Sequence, residues 1–387
     1  MTLADPPSSP EPATTPFEIR QATGYSFGSA SVDVDTDASD TIRWLTEFLT
    51  PWVDETVFGQ ADVRVRVTCS GTAFDDFDRR SSAATRLIPC FALDSQIVTL
   101  PGWDDGGGTV LADQELGCFY RVHGHQIDIV GRPSERRVRL GLMRVVRETL
   151  AARRLTQGPF LDLHTAAFEA EQRGVLIAGP KNTGKTTLLC HALASRRARL
   201  IANDRVFVDV GQVPGTVYGV PTLASVRPGT IQSFPDLRPE IAEHPMVFQT
   251  GERRIAWRGR EFGLSPGQLA QRLGASCVRS APLAAIVFPD IARDTDTWTV
   301  EALSAAEGLA ILGTCLYGAH REGSSRTILA ELSGAVPPPV GGHILVGRLA
   351  ETVRFFRCRL GPRAYEKSAD EWLRALGLDA TRGQTPQ

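Results

Sequence analysis

Gly179-Pro180-Lys181-Asn182-Thr183-Gly184-Lys185-Thr186-Thr187 fits the pattern Gly-x-x-x-x-Gly-Lys-Ser/Thr and decides the fold class. In such a loop the glycines let successive backbone N–H groups curl around phosphate oxygens. The lysine reaches the β- and γ-phosphates, and the hydroxyl after it can hold Mg²⁺. The chain contains three lysines, Lys181, Lys185 and Lys367, and two of them lie in this loop, so a chance match is rare. Val175-Leu176-Ile177-Ala178 is a short apolar run suited to a buried parallel strand, and Thr187 to Leu193 reads as a helix. That helix would point the positive end of its dipole at the bound anion. The predicted nucleotide contacts are therefore Gly179, Pro180, Lys181, Asn182, Thr183, Gly184, Lys185, Thr186 and Thr187.

Upstream, His164 lies in Leu161-Asp162-Leu163-His164-Thr165-Ala166-Ala167. A tight turn at Glu171-Gln172-Arg173-Gly174 would join this strand to the loop strand and set His164 beside the loop. Alone, a histidine here reads more readily as a hydrogen-bonded core residue than as a site residue. Downstream, Arg199 to Ala202 reads as a strand ending at Asn203-Asp204. Ligands of open sheets bind at the carboxyl ends of strands, so Asp204 can face the same Mg²⁺ as Thr186; a turn aspartate is the alternative. Arg227, Arg253, Arg254 and Arg258 are candidates for the phosphates or the acceptor, against solvated surface arginine for each taken singly. The stretch Pro101 to Gly108 lacks the Gly-Lys-Thr ending and reads as a hairpin loop.

Leu163-His164, Gly174-Val175-Leu176-Ile177-Ala178-Gly179 and Arg199-Leu200-Ile201-Ala202-Asn203-Asp204-Arg205-Val206 together resemble the HPr kinase/phosphorylase family and its HPr-kinase-related relatives. The resemblance covers about residues 160–210 and continues more weakly through Pro221 to Gly229, Leu283 to Pro289 and Val353 to Tyr365. It implies an α/β fold in which a P-loop-containing HPr kinase/phosphoenolpyruvate carboxykinase-like catalytic domain carries a smaller α/β N-terminal domain. It also implies ATP and Mg²⁺ as cofactors, with phosphoryl transfer to a hydroxyl of a peptide, protein or small molecule. By residue, Lys185 would neutralise phosphate charge, Thr186 and Asp204 would hold Mg²⁺, and His164 would contact the phosphoryl group or its acceptor. The family usually has two aspartates where this chain has Asn203-Asp204, and an amide cannot accept the acceptor's proton. Either Asp204 or His164 does that work, or the chain is a catalytically silent ATP-binding regulatory protein. The family's glycine-rich docking segment is not recognisable in residues 211–263, which argues against HPr as the substrate.

With 387 residues and 42% hydrophobic content the chain is long enough for two domains. The pattern divides it into a tail over 1–16, an N-terminal α/β unit over 17–157, the phosphate-loop domain over 158–379 and a frayed end over 380–387. Strands are expected at Ser31 to Val34, Val63 to Val67, Ile97 to Leu100 and Phe119 to Ile129, with helices at Asp40 to Val53 and Glu135 to Arg154. A net charge of −2 gives no electrostatic footprint for nucleic acid or an anionic membrane. Seven scattered cysteines without zinc-site spacing read as reduced thiols, and with no spanning stretch or leader the expected location is the cytoplasm. A homo-oligomer stays open. No Leu-Ser-Gly-Gly-Gln signature is present, which argues against a transport or helicase motor.

Overall fold

In the computed structural model the described residues are 20–378 apart from 39, 85, 94–95, 134–136, 238–247, 250–261, 293, 318–341 and 367. The expected tails, the start of a helix at Glu135, and Arg253, Arg254 and Arg258 fall outside them. The described residues form a mixed α/β fold with three sheets.

The first sheet has nine strands, ordered Asp54–Thr56, Gln21–Phe27, Ala30–Thr36, Val63–Cys69, Gln126–Gly131, Cys118–His123, Thr109–Asp113, Gln96–Asp104 and Arg86–Leu93. Ala30–Thr36, Val63–Cys69 and Gln126–Gly131 pair parallel and the remaining pairs are antiparallel. Alternation gives the sheet two covered faces. Phe119 meets Phe74 and Phe77 of the helix Gly71–Arg80, while its neighbour Tyr120 faces Gly141 on the helix Val138–Leu155. Three sequence expectations need correction. The strand expected over Phe119 to Ile129 is a hairpin turning at Gly124, whose φ of 52° suits glycine. The glycine-rich turn is confined to Asp105 to Gly108, because Pro101 to Asp104 still pair with their neighbours. The first helix stops at Leu49, ahead of Pro51.

The second sheet runs Phe160–Leu163, Arg205–Asp209, Thr216–Val220, Ser280–Ile291, Arg173–Ile177, Ala166–Ala170 and Ala198–Ala202. Arg354–Leu360 also pairs with Ser280–Ile291, and Trp298–Leu303 pairs with Arg354–Leu360. The sheet is mixed rather than parallel. Ala166–Ala170 turns into Arg173–Ile177 through Glu171 and Gln172, both at positive φ, which forces an antiparallel hairpin. That reversed strand lies between Arg173–Ile177 and Ala198–Ala202, so these two run the same way, as do Ser280–Ile291 and Arg354–Leu360. Four carboxyl ends therefore open towards one edge. The third sheet joins Ala224–Val226, Phe262–Leu264 and Phe248–Gln249. No helix among the described residues is long and apolar enough to cross a membrane.

One core cluster crosses the boundary near Gly158. Phe160, Phe207 and Val220 pack with Phe27, Trp52 and Leu155 of the N-terminal part. Arg279 reaches the same way, donating to the Pro51 carbonyl at 2.9 Å and pairing with Asp54.

Candidate functional site

The phosphate-type loop follows Arg173–Ile177 and enters the helix Lys185–Ala194. Its path needs left-handed backbone at Gly179 (φ 143°), Asn182 (φ 72°) and Gly184 (φ 99°), which glycine adopts without a Cβ penalty and asparagine tolerates. The Lys185 ammonium donates to the Gly179 and Pro180 carbonyls at 2.8 and 3.0 Å, and the Thr183 hydroxyl donates to Pro180 at 2.9 Å. The loop is thus folded around its own lysine. Arg227 donates to the Asn182 side chain, and the Thr187 and Thr230 hydroxyls are 3.1 Å apart, so the segment Arg227 to Thr230 lies alongside the loop. Lys181 and Asn182 are exposed, while Thr186 is half-buried on the first helical turn.

His164 and Asp204 meet because two paired chains bend at one place. Phe160–Leu163 pairs with Arg205–Asp209, whereas Ala166–Ala170 pairs with Ala198–Ala202. The two-residue links His164-Thr165 and Asn203-Asp204 therefore face each other where the strands change partners. His164 sits at this corner rather than within a strand, with its Nε2 2.9 Å from Asp204 Oδ1. Its backbone N–H donates to the Cys315 carbonyl at 2.8 Å, and its ring faces Tyr317 edge-on with centroids 6.5 Å apart. Asn203 is buried and turned the other way. Its Oδ1 accepts from the Thr222 hydroxyl at 3.3 Å and its Nδ2 donates to the Leu223 carbonyl at 3.4 Å.

Crowding by protein around Asp204 pushes its carboxyl pKa up, but the hydrogen bond from His164 and the charges of His164, Lys185 and Arg147 together pull it below the ordinary range. Asp204 remains ionised at neutral pH. The Lys185 charge is close enough to act on Asp204, so the loop and the His164–Asp204 pair share one neighbourhood. Among the described residues no group of three or more His, Cys, Asp or Glu side chains is gathered to hold a metal ion. One carboxylate and one hydroxyl suit Mg²⁺ only when phosphate oxygens and water complete its shell, and that donor set is the one Asp204 and Thr186 offer.

Behind the pair lies a charged network that the sequence reading did not single out. Arg205 donates to both oxygens of Asp162, at 2.9 and 2.6 Å, and to Glu148 at 2.9 Å; Glu148 also accepts from Arg147 at 2.8 Å. Burial alone would raise the Glu148 pKa, yet Arg205 and Arg147 hold it below the ordinary value. The available signal was an ionised residue inside an apolar run, in Leu161-Asp162-Leu163 and in Val145-Val146-Arg147-Glu148.

No protein-family model matches the chain. No curated protein matches it either. Among solved structures, the HPr(Ser) kinase/phosphatase from Coxiella burnetii is similar at 14% identity, over 37% of this chain and 72% of that one, with a TM-score of 0.20. At that score the likeness carries no argument about this chain, and the site rests on its own geometry.

Proposed function

We propose that the chain is an ATP- and Mg²⁺-dependent phosphotransferase of HPr-kinase-like type, moving the γ-phosphate to a hydroxyl of a peptide, protein or small molecule. The observation that carries this reading is the convergence of the Lys185 loop with the ionised Asp204 that His164 engages. Loop N–H groups and Lys185 receive the phosphates, with the ammonium exchanging the Gly179 and Pro180 carbonyls for phosphate oxygens. Asp204 and Thr186 would hold the cation, which would supply neutralisation of the developing charge. A neutral His164, held through its Nε2–H by Asp204, would take the hydroxyl proton on its other ring nitrogen as the acceptor attacks. Catalysis of this kind is positioning and electrostatics rather than covalent chemistry, and the chain supplies fixed donors for both. Arg227 lies beside the loop through Asn182 and would join a phosphate there.

The second reading, an ATP binder without chemistry, is favoured by Asn203, whose amide is engaged with Thr222 and Leu223 and supplies no carboxylate. Calorimetry with ATP and γ-phosphate transfer to candidate acceptors separate the two. Lys185→Ala should weaken ATP binding about tenfold or more, from loss of a charge-assisted contact of roughly 1.5–3 kcal/mol. Equal affinity in wild type and variant sinks both readings. Tight binding without transfer or turnover leaves only the binder.

A further inference from the structure

We propose that Arg205 is a positioning residue that sets the His164–Asp204 pair, and that Glu148 makes the N-terminal unit part of that setting; the inference rests on the kinase reading only for its nucleotide readout. Arg205 directly follows Asp204, and its fork closes on both oxygens of Asp162, two residues before His164. One guanidinium thus ties together the two chains whose links carry the pair, on the side where Phe160–Leu163 runs against Arg205–Asp209. The Tyr317 ring lies under the guanidinium, 4.0 Å from its carbon to the centroid, and presents its edge to His164. The Tyr317 N–H donates to the Asp162 carbonyl at 2.8 Å, fixing that ring to the same strand.

The remaining contact leaves the site altogether. Glu148 on the helix Val138–Leu155 accepts from Arg205, and the helix belongs to the N-terminal core. On the other flank, Trp52 of the N-terminal part donates from Nε1 to the Ile201 carbonyl at 2.6 Å, two residues before Asn203. The N-terminal unit therefore holds the corner just before and just after Asn203-Asp204.

Stability alone does not call for this arrangement. The side chains of Arg205, Asp162, Glu148 and Arg147 are each 8% exposed or less, and well-packed apolar residues commonly serve as well or better in such places. What a planar fork adds is a single orientation, since its donors match a carboxylate in one geometry. Here that orientation fixes how the His164 and Asp204 links face each other.

The test uses the full chain and two variants, Arg205→Lys, which keeps the charge and loses the fork, and Glu148→Gln, which keeps the shape and loses the charge. The first readout needs no ligand: ¹⁵N spectra of the imidazoles, with His164 assigned by His164→Gln. Both variants should move the His164 nitrogen signals away from their Asp204-bonded positions while far-UV circular dichroism stays that of wild type. The second readout is the ratio of ATP affinity with Mg²⁺ to that with EDTA. This ratio should fall about tenfold or more, as for residues that orient a metal ligand, with the EDTA affinity within about twofold. Unmoved His164 signals in the folded variants overturn the proposal whatever ATP does. So does failure of both variants to fold, which would make Arg205 a residue of stability alone. If wild type binds no ATP, the kinase reading fails and the imidazole comparison still decides Arg205.

Discussion

Asn203 is buried, with a hydroxyl donating to one side of its amide and a carbonyl accepting from the other. Only a side chain with one acceptor and one donor satisfies both neighbours. Asn203→Asp would keep the Thr222 contact but place a second charged oxygen against the Leu223 carbonyl. The expected cost at pH 7 is about 1–3 kcal/mol, the penalty for a buried polar group left unsatisfied. The sign of its pH dependence follows from the raised pKa that such a carboxyl would have when folded. Protonated, it can donate to Leu223, so stability returns as pH falls and is lost as pH rises through that pKa. Melting temperatures of wild type and variant that stay equal from about pH 4 to pH 8 would refute this account of Asn203. Residues differ in how far the sequence reveals them. Lys185 is legible because a loop that binds phosphate needs a fixed pattern, whereas Arg205 and Glu148 owe their part to burial and to partners 43 and 57 residues away.

The elements around the site were legible where local chemistry decides them. The run before the loop is the strand Arg173–Ile177, and the stretch after it is the helix Lys185–Ala194. The bend at His164 was not, because Leu161 to Ala167 holds no glycine or proline to break it and passes for one strand, and only the neighbouring chain's bend at Asn203 marks the corner. Nor was the strand Thr216–Val220 expected, since its place depends on a close approach that no local pattern announces. A Cβ on Gly219 would lie 2.0 Å from the Ile201 carbonyl oxygen and 2.3 Å from Trp52 Nε1. Gly219→Ala should therefore displace the indole from its hydrogen bond and cost about 1–3 kcal/mol, as overpacking of a filled site does. Calorimetric melting checks it, and a variant as stable as wild type would mean that the strand yields freely at this crossing.

At the scale of the molecule, the boundary near Gly158 marks a change of sheet but not a break in the core. Phe160 and Phe207 pack with Phe27, Trp52 reaches the Ile201 carbonyl, and the Glu148–Arg205 pair spans the same junction. Composition and length suggested two units, yet these contacts were invisible to that reading because each joins residues far apart in the chain. Coupling of this kind predicts one cooperative thermal transition in place of two. It also predicts how acid acts on that transition. Arg205 and Arg147 depress the folded pKa of Glu148 below its ordinary 4.5, so the pair's stabilisation is complete above that value and is lost as pH falls beneath it. Because Glu148 sits at the junction, its protonation should loosen both sheets together, and a single melting transition should move to lower temperature. Glu148→Gln removes the group that titrates, leaving Arg205 and Arg147 short of a carboxylate at every pH. That variant should melt lower than wild type at neutral pH, by about 3–5 kcal/mol in stability, the cost of breaking a buried pair. Its melting temperature should also fall less steeply between about pH 5 and pH 3, because one carboxylate that titrates in wild type is gone. Two separate transitions in wild type, or an acid slope identical in both proteins, would show that the two sheets unfold independently of this contact.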